Sequence, residues 1–208
     1  GAQTVASTSQ SIFVAALDAS NGATAWHDVL SSPYDDTVEQ IVPSPQGGVV
    51  FTGAMNGTMT GVTGPGFPLV AGADDAGSVT SQAYVGKLDA SGKPVYAFTD
   101  PTAPAAGSSS ALGVAEGNGV VALVGWFSGT IDFGGGPVTA QGGYDGFVAV
   151  VDESTLTPKF VAPLAGSGDE AIDAVALAAW GELFAAGTYG GGGGATAASF
   201  GAMIFPHT

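Results

Sequence analysis

SIFVAALDASNG (residues 11–22), QAYVGKLDASGK (82–93) and DGFVAVVDESTL (145–156) are three versions of one phrase. Each is a short apolar run ending in an aspartate, Asp18, Asp89 or Asp152, that opens a turn of small residues. Runs of this length, rich in Val, Phe and Tyr and bounded by turn residues, read as strands. An aspartate just after a strand accepts backbone N–H bonds and so closes the turn. The aromatic positions Phe13, Tyr84 and Phe147 set the spacing, 71 residues and then 63. Such self-similarity predicts a repeat architecture in which each unit covers a face of the next.

A second block follows each phrase: QIVPSPQGGVVFTGAMNGT (40–58), GVAEGNGVVALVGWFSGT (113–130) and AVALAAWGELFAAGTYGGG (174–192). Each reads as two strands joined by a tight turn, and TAWHDVL (24–30), PVYAFTD (94–100) and PKFVAPL (158–164) supply one more strand apiece. The stretch DEAIDAVALAAW (169–180) has apolar residues at helical spacing. Its equivalents VEQIVPSPQ (38–46) and SALGVAEGN (110–118) contain proline or glycine, so a strand is expected there too. The chain is therefore expected to be all-β, a single segment 1–208 made of four-stranded antiparallel units at about 11–81, 82–144 and 145–199. A partial final strand at 200–208 begins with FGAMIF, a weaker fourth copy of the opening phrase.

Composition narrows the function. Hydrophobic residues make up 45% of the 208, enough for a sizeable core, and the 35 glycines punctuate patterned runs. Eighteen acidic residues face three lysines, Lys87, Lys93 and Lys159, and no arginine, for a net charge of −15. That field repels nucleic acid and gives no hold on anionic membrane surfaces. No uninterrupted apolar run is long enough for a membrane-spanning helix. Cysteine is absent, which removes disulfides, thiolate metal sites and cysteine nucleophiles. The N-terminus GAQTVASTSQSIF lacks the basic residues of a secretory leader, so an exported protein would appear here in processed form.

WFSGTIDFGGGPVTAQGGYDGFVAVVD (126–152) and YVGKLDASGK (84–93) resemble the SBBP-type repeats of large secreted proteins of myxobacteria and related bacteria. The first unit departs from that pattern, with MNGTMTGVTGPGFPLVAGADDAGSVTSQ (55–82) in place of the compact FGGG loop. The resemblance implies four-stranded blades of a β-propeller, about three to three and a half in this chain, where a closed ring has roughly four to eight. Closure then comes from further blades of a longer chain or from a second copy. It also implies a noncatalytic module outside the cell or on the bacterial surface, binding a protein or a glycan as an adhesion scaffold. Two alternatives are a structural subunit that assembles by edge pairing and a propeller-fold hydrolase or lyase. The last would gather carboxylates or histidine at a channel mouth.

Few residues invite chemistry. Asp35–Asp36 and Asp169–Glu170 occupy equivalent places in the first and last units, with Ser108–Ser109 between them. Together with Asp74 and Asp75 they are the calcium candidates, since carboxylates in glycine-rich loops suit a hard cation. Adjacent residues on a strand point to opposite faces, however, which favours turn-stabilising or solvated roles. No other cofactor is expected. His27 and His207 are too few for a zinc site. Trp26, Trp126 and Tyr189 are candidates for a ligand-stacking surface, weighed against packing between units.

Overall fold

A computed structural model describes residues 9–71, 80–100, 107–191, 197–201 and 203–206 of the chain. Every strand pair in it is antiparallel, and no helix occurs among the described residues. β1 (Ile12–Leu17) pairs with β2 (Thr24–Leu30). Next come β3 (Thr37–Pro43) and β4 (Val49–Asn56), a separate hairpin of β5 (Thr58–Gly64) and β6 (Phe67–Val70), then β7 (Ser81–Leu88) and β8 (Pro94–Thr99). Strands β3, β4, β7 and β8 lie side by side in that order as one sheet.

The same plan repeats with β9 (Ser109–Gly117), β10 (Val120–Phe127), the small hairpin β11 (Thr130–Ile131) and β12 (Val138–Thr139), β13 (Asp145–Asp152) and β14 (Pro158–Gly166). The departure of the first unit from the compact FGGG loop is thus the difference between the long hairpin β5–β6 and the short hairpin β11–β12. A third pair, β15 (Asp169–Leu177) and β16 (Leu183–Gly191), starts a further sheet, so the stretch with helical spacing is indeed a strand.

The end of the chain differs from expectation. β17 (Ala197–Phe200) and β18 (Met203–Pro206) form a hairpin, and β17 pairs with β14 instead of with β16. FGAMIF is therefore not a strand by itself: Phe200 ends β17, Gly201 turns, and the chain returns in β18. Pairing on β14 satisfies an open sheet edge and buries Ala198 in an apolar cluster with Leu164 and Ile172.

The sheets stack face to face. Val50, Ala83 and Val85 of the four-stranded sheet pack against Val121, Leu123, Phe127, Phe147, Ala149 and Val151 of the second sheet, which β17 and β18 extend to six strands. The opposite face of the second, through Ala122, Val124, Val148 and Val150, packs on Ile172. On the other side, β1–β2 and the β5–β6 hairpin cover Phe51, Met55, Tyr84 and Leu88. Strands buried on both faces need near-continuous apolar runs, which is why VVFTGAM, VVALVGWF and FVAVV lack polar alternation.

Two details of the phrase have local causes. Asp18, Asp89 and Asp152 accept from the backbone N–H two residues on, Ser20 at 2.8 Å, Ser91 at 2.8 Å and Ser154 at 3.0 Å, and from the hydroxyls of those serines. Gly53, Gly125 and Gly187 lie beside bulges, where the partner strand's carbonyl oxygen, of Thr37, Ser110 or Ala171, fills the space a β-carbon would take.

Candidate functional site

The repeated acidic pair sits at the start of β3 and β15, and the serine pair at the start of β9. The pleat divides each pair: Asp36, Ser109 and Glu170 are buried, whereas Asp35 and Asp169 are exposed. Asp36 is fully used. It accepts from Ser32 N at 2.8 Å, Ser32 Oγ at 3.0 Å and Asn56 N at 3.1 Å. Asp35 accepts from Gln10 N at 2.7 Å. In the middle unit the Ser109 hydroxyl accepts from Ala83 N at 2.9 Å.

Glu170 is different. Its Oε1 accepts from Gly190 N at 3.3 Å, the equivalent of the bond from Asn56 to Asp36, but its buried Oε2 has no hydrogen-bond partner. Burial pushes its pKa up, and the charges of Asp145 and Asp169 add to the rise. Asp145, fully buried, accepts from Gln141 N at 3.1 Å and Gly142 N at 3.3 Å, and burial raises its pKa as well.

Glu170 and Asp169 share a cleft of about 340 Å³ with Trp126, Tyr144, Ala171 and Thr188. Trp126 arrives there because it continues the face of β10 that carries Ala122 and Val124 against Ile172, one pleat repeat beyond the apolar contact. Tyr144 precedes β13, its carbonyl accepting from Glu170 N at 2.8 Å. The two rings meet edge to face, centroids 4.9 Å apart and planes at 70°. The result is a cleft lined by two aromatic rings and two carboxylates, a surface suited to a ligand with an apolar stem and hydrogen-bond donors.

Of the residues singled out in the sequence, Trp126, Asp169 and Glu170 come together here. Asp36 lines a separate cleft with Gln10, Ile12 and Phe13, and Asp35 is not part of its lining. Tyr189 lines an apolar cavity of about 210 Å³ with Leu164, Ile172 and Phe200. Trp26 is occupied: its Nε1 donates to Ala90 O at 3.0 Å and its ring lies over Gly92. Asp74, Asp75 and His207 lie outside the described residues. Among the described residues no three His, Asp or Glu side chains gather closely enough to hold a metal ion.

Sequence reasoning passed over one charged cluster. Lys87 is buried between the four-stranded and six-stranded sheets, 2.6 Å from Glu116 and 2.8 Å from Glu153, and it also donates to Gln46 Oε1 at 3.1 Å. Burial alone would lower the Lys87 pKa, but the bonds to Glu116 and Glu153 outweigh it and hold the pKa above the ordinary lysine range. The signal was a lysine in the apolar phrase YVGKL, at the position of Ala16 and Val150 in the other copies. A cavity of about 610 Å³ opens beside it, lined by Val95, Tyr96, Glu153 and Leu156 among others. Its carboxylates are committed, Glu153 to Lys87 and Asp152 to its own turn and to Lys159 at 3.2 Å.

No family model matches the chain, and no curated protein matches its sequence.

Proposed function

We propose that the chain is a noncatalytic binding scaffold, a segment of a β-propeller of the SBBP-type repeat kind, whose ligand site is the cleft of Trp126, Tyr144, Asp169 and Glu170. One observation carries this, the middle unit. There Ser108 and Ser109 replace the acidic pair, and Ala54 of the preceding sheet stands where Trp126 stands in the next. The unit folds with the same sheet order and the same bulge, so neither the acids nor the indole is required by the fold.

Face-to-face stacking of successive antiparallel sheets, with the strand order β3-β4-β7-β8 matched by β9-β10-β13-β14, supports the blade reading. A repeat-built module with net charge −15 and no cysteine suits display outside a bacterial cell, where a protein or glycan partner would meet the cleft. Among the described residues Phe13 on β1 and Phe184 on β16 are exposed, which favours a second reading in which copies of the chain, or further blades, stack on them at the two ends. Light scattering behind gel filtration separates these: a monomer at all concentrations removes the assembly of copies.

Binding is tested by two-dimensional ¹⁵N NMR with mixtures of sugars, amines, amino acids and carboxylates. Saturable movement of the Trp126 indole signal in response to one class is expected. Silence at Trp126 and Thr188 with every class overturns the site, and turnover of fluorogenic glycosides or esters overturns the noncatalytic assignment.

A further inference from the structure

We infer that the cleft receives a primary alkylammonium group, the chemistry of a lysine side chain, with its stem along the Trp126 ring and its charged head between Asp169 and Glu170. The assignment rests on the cleft being a binding site. Glu170 is 1% exposed; the Gly190 N–H donates to Oε1 and the Gly168 backbone also acts on the carboxylate, yet Oε2 has no hydrogen-bond partner. An ionised carboxylate only accepts, so a buried unpaired oxygen calls for a donor, and a charged donor makes the stronger bond.

Three further features select the donor. Asp169 is exposed at the same cleft and Asp145 is close enough to act on Glu170, so the local potential is negative beyond the average of an acidic chain. The ion pairs that Lys87 and Lys159 make lie elsewhere, with Glu116 and Glu153 and with Asp152. Trp126 and Tyr144 line the cleft, and aromatic rings attract an organic cation in a way that a strongly hydrated metal ion exploits poorly. Calcium takes about six to eight oxygens, and among the described residues no cluster of three ligating side chains exists here. A volume of about 340 Å³ accommodates an alkylammonium head with its stem.

The experiment follows the Trp126 indole, assigned with Trp126→Phe, during titration with n-butylammonium chloride at constant ionic strength. A saturable shift with millimolar affinity is expected, absent with n-butanol. Glu170→Gln weakens it about tenfold, the loss of one charge-assisted bond. Asp169→Asn, at an exposed position that does not threaten folding, weakens it severalfold. Nα-acetyl-lysine methylamide and cadaverine distinguish the sources: equal binding of the lysine derivative points to a protein side chain, and binding of cadaverine alone to a free polyamine. No shift with butylammonium, or equal shifts in wild type, Asp169→Asn and Glu170→Gln, overturns the inference. If a neutral methyl glycoside moves Trp126 and the amines do not, the site stands and its ammonium chemistry falls. If nothing moves Trp126, both fall.

Discussion

Single residues in this chain do opposite things with the same chemistry. Asp18, Asp89 and Asp152 are held below the ordinary carboxylate range, first by the hydroxyls of Ser20, Ser91 and Ser154. Their folded pKa lies below the unfolded value, so their contribution is complete above about pH 4 and is lost as pH falls through the folded value. Asp152→Asn is expected to flatten the acid limb of a urea-midpoint profile below about pH 4. Glu170 runs the other way, because burial raises its pKa and its ionisation opposes folding as pH rises. Glu170→Gln should therefore compare best with wild type near neutrality, its advantage narrowing as pH is lowered towards about 4.3. Urea melts of both proteins across that range check the sign. At Gly125 the conflict is steric, and Gly125→Ala is expected to cost about 3 kcal/mol, read from the urea midpoint, because the Ser110 carbonyl occupies the β-carbon's place.

Elements are joined by side chains that a strand pattern does not announce. Lys87 on β7 ties β9 to the turn after β13 through Glu116 and Glu153. Removing one member of a buried ion cluster strands the others, so Lys87→Met is expected to cost about 3 to 5 kcal/mol in chemical denaturation. Because its folded pKa is raised, the lysine's contribution persists up to about pH 10.4 and is lost as pH rises beyond it, which the same melts at alkaline pH will show. Strand pairing at the chain's end is a second matter between elements. The edges of β14 and β16 compete for β17, and β14 prevails where pairing also buries Ala198.

At the scale of the molecule, equivalent letters have unequal weight. Phe13 and Phe147 hold the same place in the repeated phrase, yet Phe13 is 74% exposed and Phe147 is fully buried. Phe147→Ala is expected to cost about 3 to 5 kcal/mol and Phe13→Ala less than about 1, by urea denaturation of the isolated chain. The reason is position in the stack: Phe147 is packed in the core between sheets, and among the described residues Phe13 lies on an exposed face.

The all-β class, the antiparallel strands and the aspartate turns were legible in the sequence, because each follows from local pattern: apolar runs and their bounding turn residues. The repeat alignment also carried Asp169–Glu170 to a strand start. Tertiary structure alone decided that Trp126 and Glu170 line one cleft, that Glu170 Oε2 lacks a hydrogen bond where Asp36 accepts three, and that β17 turns back onto β14. Those outcomes depend on which faces and edges come together across tens of residues. Periodicity along a strand shows that a face is apolar or an edge unpaired, and says nothing of what covers it.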